Sequence, residues 1–311
     1  MEVVRTLTHS PALMRRSHLA IGNFDGVHRG HQAILDTAVQ LARAAGGQSG
    51  LVTFDPHPVE VLAPSKAPAR LTTLERRLQL VEERGIDLVL LVPFDEQTAS
   101  MEAEAFVQDV LLKTLNMHHV LVGPDCHFGR NRTGDKALLE RMGEQAEFEV
   151  DGVPPTIHEG ARISSSRIRK AIASGEIADA NAMLGRPHRV SGNVVRGEGR
   201  GRTLGFPTAN VHTPPSLLLP RTGVYHGAVH VDGDVHSAVI NVGVKPTFGP
   251  DSPLGVEAHM LDHQQDLYGH EVAVSFRGRI RDEQQFSGVE ALIAQVQQDI
   301  EVARRRAAET P

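Results

Sequence analysis

His18-Leu19-Ala20-Ile21-Gly22-Asn23-Phe24-Asp25-Gly26-Val27-His28-Arg29-Gly30-His31 decides the fold of the first half of this 311-residue chain. An apolar run of strand type breaks at a glycine-bearing turn. Downstream, Ile34, Leu35, Ala38, Leu41 and Ala42 recur at the spacing of one helical face. The alternation continues: residues 50–54, 87–94 and 119–123 are almost unbroken in Val, Leu and Ile, as in strands covered on both faces. Between them, Leu74, Leu78 and Val81, then Phe106, Val110 and Leu111, keep helical spacing. A βαβα order predicts an α/β unit, a parallel sheet with helices on both faces.

After about residue 186 the period changes to two. Residues 224–231 and 236–241 meet through Asp232-Gly233 as a hairpin, and 271–276 alternate in the same way. An antiparallel barrel or sandwich is expected, closed by a terminal helix on which Leu292, Ile293, Val296, Ile300 and Ala303 line one face. Gly185 followed by Pro187 marks a helix stop, so the expected domains are 1–185 and 186–311. At roughly 150 residues per domain, two cores suit the length.

Composition excludes other classes. With 32 Lys and Arg against 38 Asp and Glu, the net charge of -6 offers no basic field for a phosphate backbone. Aromatics make up 4% with no Trp, which also argues against nucleic acid as a partner. Apolar runs fall far short of the roughly 18 residues of a spanning helix, and the first twenty residues lack a signal-peptide pattern. No membrane partner and a cytoplasmic location are therefore expected. One cysteine, Cys126, allows neither an internal disulfide nor a cysteine zinc cluster.

Ligands of open α/β sheets bind at the carboxyl ends of strands, where a helix N-terminus offers N–H groups and a positive dipole end to phosphate. Gly22, Phe24, Gly30, His28 and His31 occupy such a place, and the two imidazoles can donate to one anion. They would serve equally as caps. Ser164, Ser165 and Ser166, with Arg167 and Arg169, form a second hydroxyl-rich helix start that suits pyrophosphate or an ordinary serine cap. In the second half, Gly197-Glu198-Gly199-Arg200-Gly201-Arg202-Thr203-Leu204-Gly205 is a basic glycine loop followed by Phe206-Pro207-Thr208-Ala209-Asn210. It matches neither a Walker A loop nor a dinucleotide fingerprint.

The ordered set Gly22 to His31, Thr53-Phe54-Asp55-Pro56-His57-Pro58, Pro93-Phe94-Asp95 and Ile163-Ser164-Ser165-Ser166-Arg167-Ile168-Arg169 resembles the adenylyltransferase half of bacterial bifunctional riboflavin kinases/FMN adenylyltransferases (FAD synthetases). Pro207-Thr208-Ala209-Asn210, Gly223-Val224-Tyr225, Asn241-Val242-Gly243, Val256-Glu257-Ala258-His259 and Asp266-Leu267-Tyr268-Gly269 resemble the kinase half. The resemblance runs from about residue 18 to 290. It implies a Rossmann-like nucleotidyltransferase domain and a β-barrel kinase domain that together convert riboflavin to FMN and FMN to FAD with ATP and Mg²⁺.

Residue by residue, it implies that His28 and His31 bind the ATP phosphates and stabilise the transition state. Ser164, Ser165, Ser166 and Arg169 would hold pyrophosphate, and Gly22, Phe24 and Gly30 would line the ATP site. Gly199 and Gly201 would cover the kinase phosphates, Thr208 and Asn210 would hold Mg²⁺ and ATP, and Glu257 would be the kinase base. Motif position assigns Pro58, Asp125 and Phe128 to the flavin. Ser166 stands where the family usually has Thr, Cys126 where it has Phe, and Lys245 where it has Arg. Two other readings are a chain retaining one activity, and a flavin-binding regulator touching RNA through the basic run 162–170. The sequence does not set the oligomeric state.

Overall fold

Leu88, Leu90 and Val92 alternate with Val89 and Leu91, and all five are buried because both faces of their strand are covered. The computed structural model describes residues 1–5, 14–197, 199–244, 254–263 and 267–309, without the side chains of Arg200 and Arg202. Lys245 lies outside the described residues.

One compact unit comprises Met1–Pro68 and Leu74–Ser164. Its strands are β1 (Glu2–Val4), β2 (Ser17–Ile21), β3 (Gln48–Asp55), β4 (Leu88–Pro93), β5 (Met117–Val122) and β6 (Glu149–Gly152), all parallel, in the order β1-β4-β3-β2-β5-β6. On one face, Ala20, Leu51, Val89 and Leu121 pack against α1 (Arg29–Ala44) and, beyond the small helix α2 (Pro58–Leu62), against α3 (Leu74–Glu82). On the other, Leu19, Val52, Leu90 and Val120 meet a second layer. There the turns α4 (Glu96–Ala99) and α5 (Ala103–Ala105) lead into a π-helix, Phe106–Thr114, and α6 (Lys136–Ala146) completes the cover. Adjacent residues of each strand thus enter different cores. A small ribbon, β7 (Ile157–His158) with β8 (Ala161–Arg162), ends the unit.

The other unit joins Ala69–Thr73 to Ser165–Pro311. It begins with α7 (Ser165–Ser174) and α8 (Ile177–Leu184), whose Asn181 amide donates to the Phe276 carbonyl (2.9 Å) and accepts from the His188 N–H (2.7 Å). Helix α7 starts three residues before its first apolar residue, Ile168, so that Ser164 immediately precedes the helix. Then come β9 (His188–Val195), the turn α9 (Arg200–Thr203), β10 (Ala209–His212), β11 (Gly223–Val231), β12 (Asp234–Val244), β13 (Leu254–Met260), β14 (Glu271–Arg281) and α10 (Val289–Glu309).

The six strands close as β10-β13-β12-β11-β14-β9, because β9 pairs with both β10 and β14. The barrel, not the sandwich, is therefore the outcome. Asp232 and Gly233 both take positive φ (51° and 91°), as the two-residue hairpin turn requires. The backbone of Arg70 pairs with Ser216 and Leu218 (2.7 and 2.9 Å), sewing an early segment into this late unit.

Helix α10 packs through Ala303 and Ile300 on Val224 and Val239. His226 lies on that same outer face, opposite Val239, and an added Cβ on its other partner, Gly278, would stand 2.6 Å from the imidazole. Burial first, then the positive charges of Arg306 and Arg277, push the His226 pKa down to about 4. The folded unit therefore binds fewer protons than the unfolded chain between that value and about 6.5. Stability is full above about pH 6.5 and falls as pH drops towards 4, by about 3 kcal/mol for this group. Denaturant melts of wild type and His226→Gln at pH 7 and pH 5 check this. The variant should lose less on acidification, and equal losses would contradict the assignment.

Candidate active sites

In the first unit, the turn after β2 is built from unusual backbone. Phe24, Gly26 and Val27 all have positive φ (50°, 82° and 37°), a costly state for the β-branched Val27. Phe24 and Val27 are buried, so packing holds the turn in that form. Arg77 reinforces it from α3. Its guanidinium, 6% exposed, donates to the carbonyls of Asn23 (2.9 Å) and Phe54 (3.2 Å), tying together the ends of β2 and β3.

The turn delivers His28 to the N-cap of α1, where its Nδ1 accepts from the His31 N–H at 3.2 Å. The two imidazoles stack with centroids 3.6 Å apart, and His31 also lies 4.7 Å from the Phe24 ring. Gly30 makes this possible, since a Cβ there would come 3.2 Å from the His28 ring. Both imidazoles thus sit at the first turn of a 16-residue helix, at the carboxyl end of a central strand. This is an arrangement for an anion.

At the end of β3, Pro58 opens α2 behind His57, whose Nδ1 caps the Val59 N–H (3.2 Å). Phe54, Phe106 and Phe128 form a ladder of rings 6.3 and 5.6 Å apart. Phe128 is buried, backbone-paired with Gly134. Asp125, at the surface, forms an ion pair with Arg162. Beside them Gly123, Pro124, Cys126, Asp135, Lys136 and Val153 line an open cavity of about 320 Å³. Loss of hydration, opposed by Arg132, pushes the Cys126 thiol up to about 12. Its thiolate is therefore scarce at neutral pH, and alkylation by iodoacetamide at pH 8 should run about 10²–10³ times slower than for a free cysteine. Mass spectrometry with and without urea reads this, and a rate unchanged by urea would contradict it.

In the second unit, register gathers the site. Asn210 on β10 opposes Glu257 on β13, which opposes Asn241 on β12, which opposes Val224 on β11. Directly opposed residues share a face, so the three polar side chains lie on the outer face that α10 partly covers. Asn210 is buried, Glu257 and Asn241 half-buried.

Gly197 packs directly on the Asn210 amide, whose Nδ2 lies 2.4 Å from the position of an ideal Cβ there. Gly201 approaches Phe206 O and the Thr208 hydroxyl, 2.5 and 3.3 Å from its ideal Cβ. Gly199 and Gly205 take φ of +71° and +86°. The loop so folds onto Thr208 and Asn210, which are two residues apart. His259 Nδ1–H donates to the Pro207 carbonyl (2.9 Å), and its ring meets Phe206 edge-on. Arg169, on α7, uses its Nε to hold the Ala69 carbonyl (2.7 Å).

Family models match both halves, FAD synthetase over residues 10–167 and riboflavin kinase over 184–307. The chain is 39% identical over 308 residues to the bifunctional riboflavin kinase/FMN adenylyltransferase of Pseudomonas fluorescens, covering 99% of this chain and 98% of that protein. It is 41% identical over 289 residues to that of Escherichia coli, covering 92% and 91%. The chain belongs to the bifunctional riboflavin kinase/FMN adenylyltransferase family. It is an enzyme of flavin-nucleotide synthesis, with an FAD synthetase domain ahead of a riboflavin kinase domain.

A crystal structure described as a macrolide-efflux protein from Streptococcus pneumoniae superposes with a TM-score of 0.87 at 31% identity, covering 98% of this chain and 99% of that one. Among the described residues of this family member, no helix is long and apolar enough to cross a membrane.

Sequence reasoning missed Arg77 and gave His259 no role. The signal for Arg77 was a cation on the apolar face of α3, between Leu74 and Val81. For His259 it was the same-face spacing to Glu257.

Proposed function

We propose that domain 186–311 phosphorylates riboflavin with ATP, and that domain 1–185 then adenylylates the product, both in the cytoplasm and with Mg²⁺. The carrying observation is that Asn210 and Glu257 stand directly opposed in register, with Gly197 of the glycine loop pressed on the Asn210 amide. In the first reaction the riboflavin 5′-hydroxyl attacks the γ-phosphorus, ADP leaves, and Glu257 takes the hydroxyl proton. Gly199 and Gly201 fold over the phosphates and exclude water. Thr208 and Asn210 offer the hard oxygen donors that suit Mg²⁺, which keeps several waters and needs few protein ligands. When bound there, Mg²⁺ neutralises charge on the phosphates.

In the second reaction a phosphate oxygen of FMN attacks the α-phosphorus of a second ATP, and pyrophosphate leaves. His28 and His31, held at the α1 N-terminus with Gly22, Phe24 and Gly30, donate to the phosphoryl oxygens as charge develops. Ser164, Ser165, Ser166 and Arg169 take the departing pyrophosphate, while Pro58, Asp125 and Phe128 face the flavin side. The test is chromatography of flavins after incubation with riboflavin, ATP and Mg²⁺. FMN followed by FAD is expected. FMN alone would leave the adenylyltransferase reading without support, and no product with ATP unspent would indicate a binding protein.

A further inference from the structure

A guanidinium buried among helices and strands is costly unless its N–H groups find acceptors. Arg77 of α3 is buried, and its acceptors are two main-chain carbonyls, those of Asn23 and Phe54, with the Asp55 carboxylate 3.9 Å away. Packing alone does not call for a charge at this position, since an apolar side chain of similar volume would fill it without desolvating one. What the guanidinium adds is direction.

The Asn23 carbonyl is held twice. Arg77 Nη1 donates to it at 2.9 Å, and the buried Thr53 hydroxyl, on β3, donates to it at 3.2 Å. The peptide joining Asn23 to Phe24 is trans, so its N–H points opposite to its carbonyl, away from α3 and β3. Phe24 is buried, yet among the described residues its N–H meets no acceptor. A buried main-chain donor left in that state is rare. This one lies in the turn that delivers His28, and the Phe24 ring is 4.7 Å from that of His31.

The second carbonyl supplies the anchor. Phe54 belongs to β3, whose Val52 carbonyl accepts from the Gly22 N–H and whose Asp55 carbonyl accepts from the Phe94 N–H, both at 3.1 Å. Arg77 therefore reaches from the free turn to a strand end that is tied on both sides.

We propose that Arg77 is a positioning residue for adenylyl transfer. By pinning the Asn23–Phe24 peptide, it holds the Phe24 N–H as a fixed donor to a non-bridging oxygen of the transferring phosphoryl group, beside His28 and His31. The guanidinium touches no substrate. Its effect is that the peptide need not reorient as charge develops on that oxygen. This assignment rests on the turn after β2 being the adenylyl-transfer site.

The experiment uses the full chain with supplied FMN, ATP and Mg²⁺. Arg77→Lys keeps the charge but replaces the planar fork with a single ammonium, which cannot reproduce both bonds in the same geometry. Its kcat for FAD formation should fall about 10²-fold, as for a misplaced preorganised donor. The KM for FMN and for ATP should stay within about threefold, because only the transition state uses the fixed donor. Pyrophosphorolysis of FAD, which passes through the same transition state, should slow by the same factor. Thr53→Val, which removes the second donor to the Asn23 carbonyl and keeps the volume, should lower kcat by roughly tenfold or less.

An unchanged kcat in Arg77→Lys, a loss carried by KM, or a defect erased by sucrose, which restores folded protein without restoring the donor, would each overturn the proposal. His28→Ala measured in parallel separates it from the reading beneath it. If His28→Ala leaves FAD formation intact, the turn is not the adenylyl-transfer site; if it alone lowers kcat, the site stands and the role of Arg77 falls.

Discussion

With alanine in place of His28, riboflavin still becomes FMN but FAD formation falls by about 10²–10³, the usual cost of one preorganised donor to developing phosphoryl or acyl charge. Three local effects add up in that substitution. The imidazole proposed to face the phosphates is lost, the cap on the His31 N–H goes with it, and His31 loses the ring stacked on it. His28→Asn separates them, since an amide restores the cap but not the stack. FAD formation from supplied FMN should stay low in His28→Asn while the melting temperature recovers. Loss of both FMN and FAD in the same variant would refute the division of labour between the units.

The reciprocal effect is expected at Glu257. Removing its carboxylate should lower riboflavin phosphorylation by about 10²–10⁴, the range of a positioned general base, and leave conversion of supplied FMN to FAD intact. The residue sits mid-ladder between Asn210 and Asn241, so Glu257→Gln keeps the shape and isolates the proton transfer. A near-normal kinase rate in Glu257→Gln would remove it from the base role. Asn210→Ala should also stop the kinase, because the amide packs on Gly197 and its loss would loosen the glycine loop together with the ligand set.

The parallel sheet was plain from the sequence, because strands buried on both faces leave unbroken Val and Leu runs and their helices keep one apolar face. Strands β1 and β6 were not, being edge strands of three and four residues with too little pattern to register. The run at 18–24 ends as a strand at Ile21, since Phe24 and Val27 are apolar for packing the turn and not for pairing. Barrel against sandwich could not be decided by alternation, which both share. Closure depends on β9 having two partners, and pairing across 15 to 88 residues leaves no local mark.

At the sites, residue types were legible and their company was not. His28 and His31 at three residues' spacing predicted a shared helix start, and the stacking follows from it. The Asn210–Glu257–Asn241 row is a product of register alone. Arg77 is remote in sequence from both carbonyls it holds, and Gly30 and Gly197 look like flexibility until the side chains pressed against them are seen.

The stitch at Arg70 bears on how the chain is made. Its partners Ser216 and Leu218 are translated roughly 150 residues later, about 10–30 s at ribosomal speeds. For that interval the segment waits, and the barrel unit cannot complete its pairing as an independent late product. A gene cut between the two catalytic halves would release a kinase domain whose Ser216 carbonyl and Leu218 N–H have only water to bond.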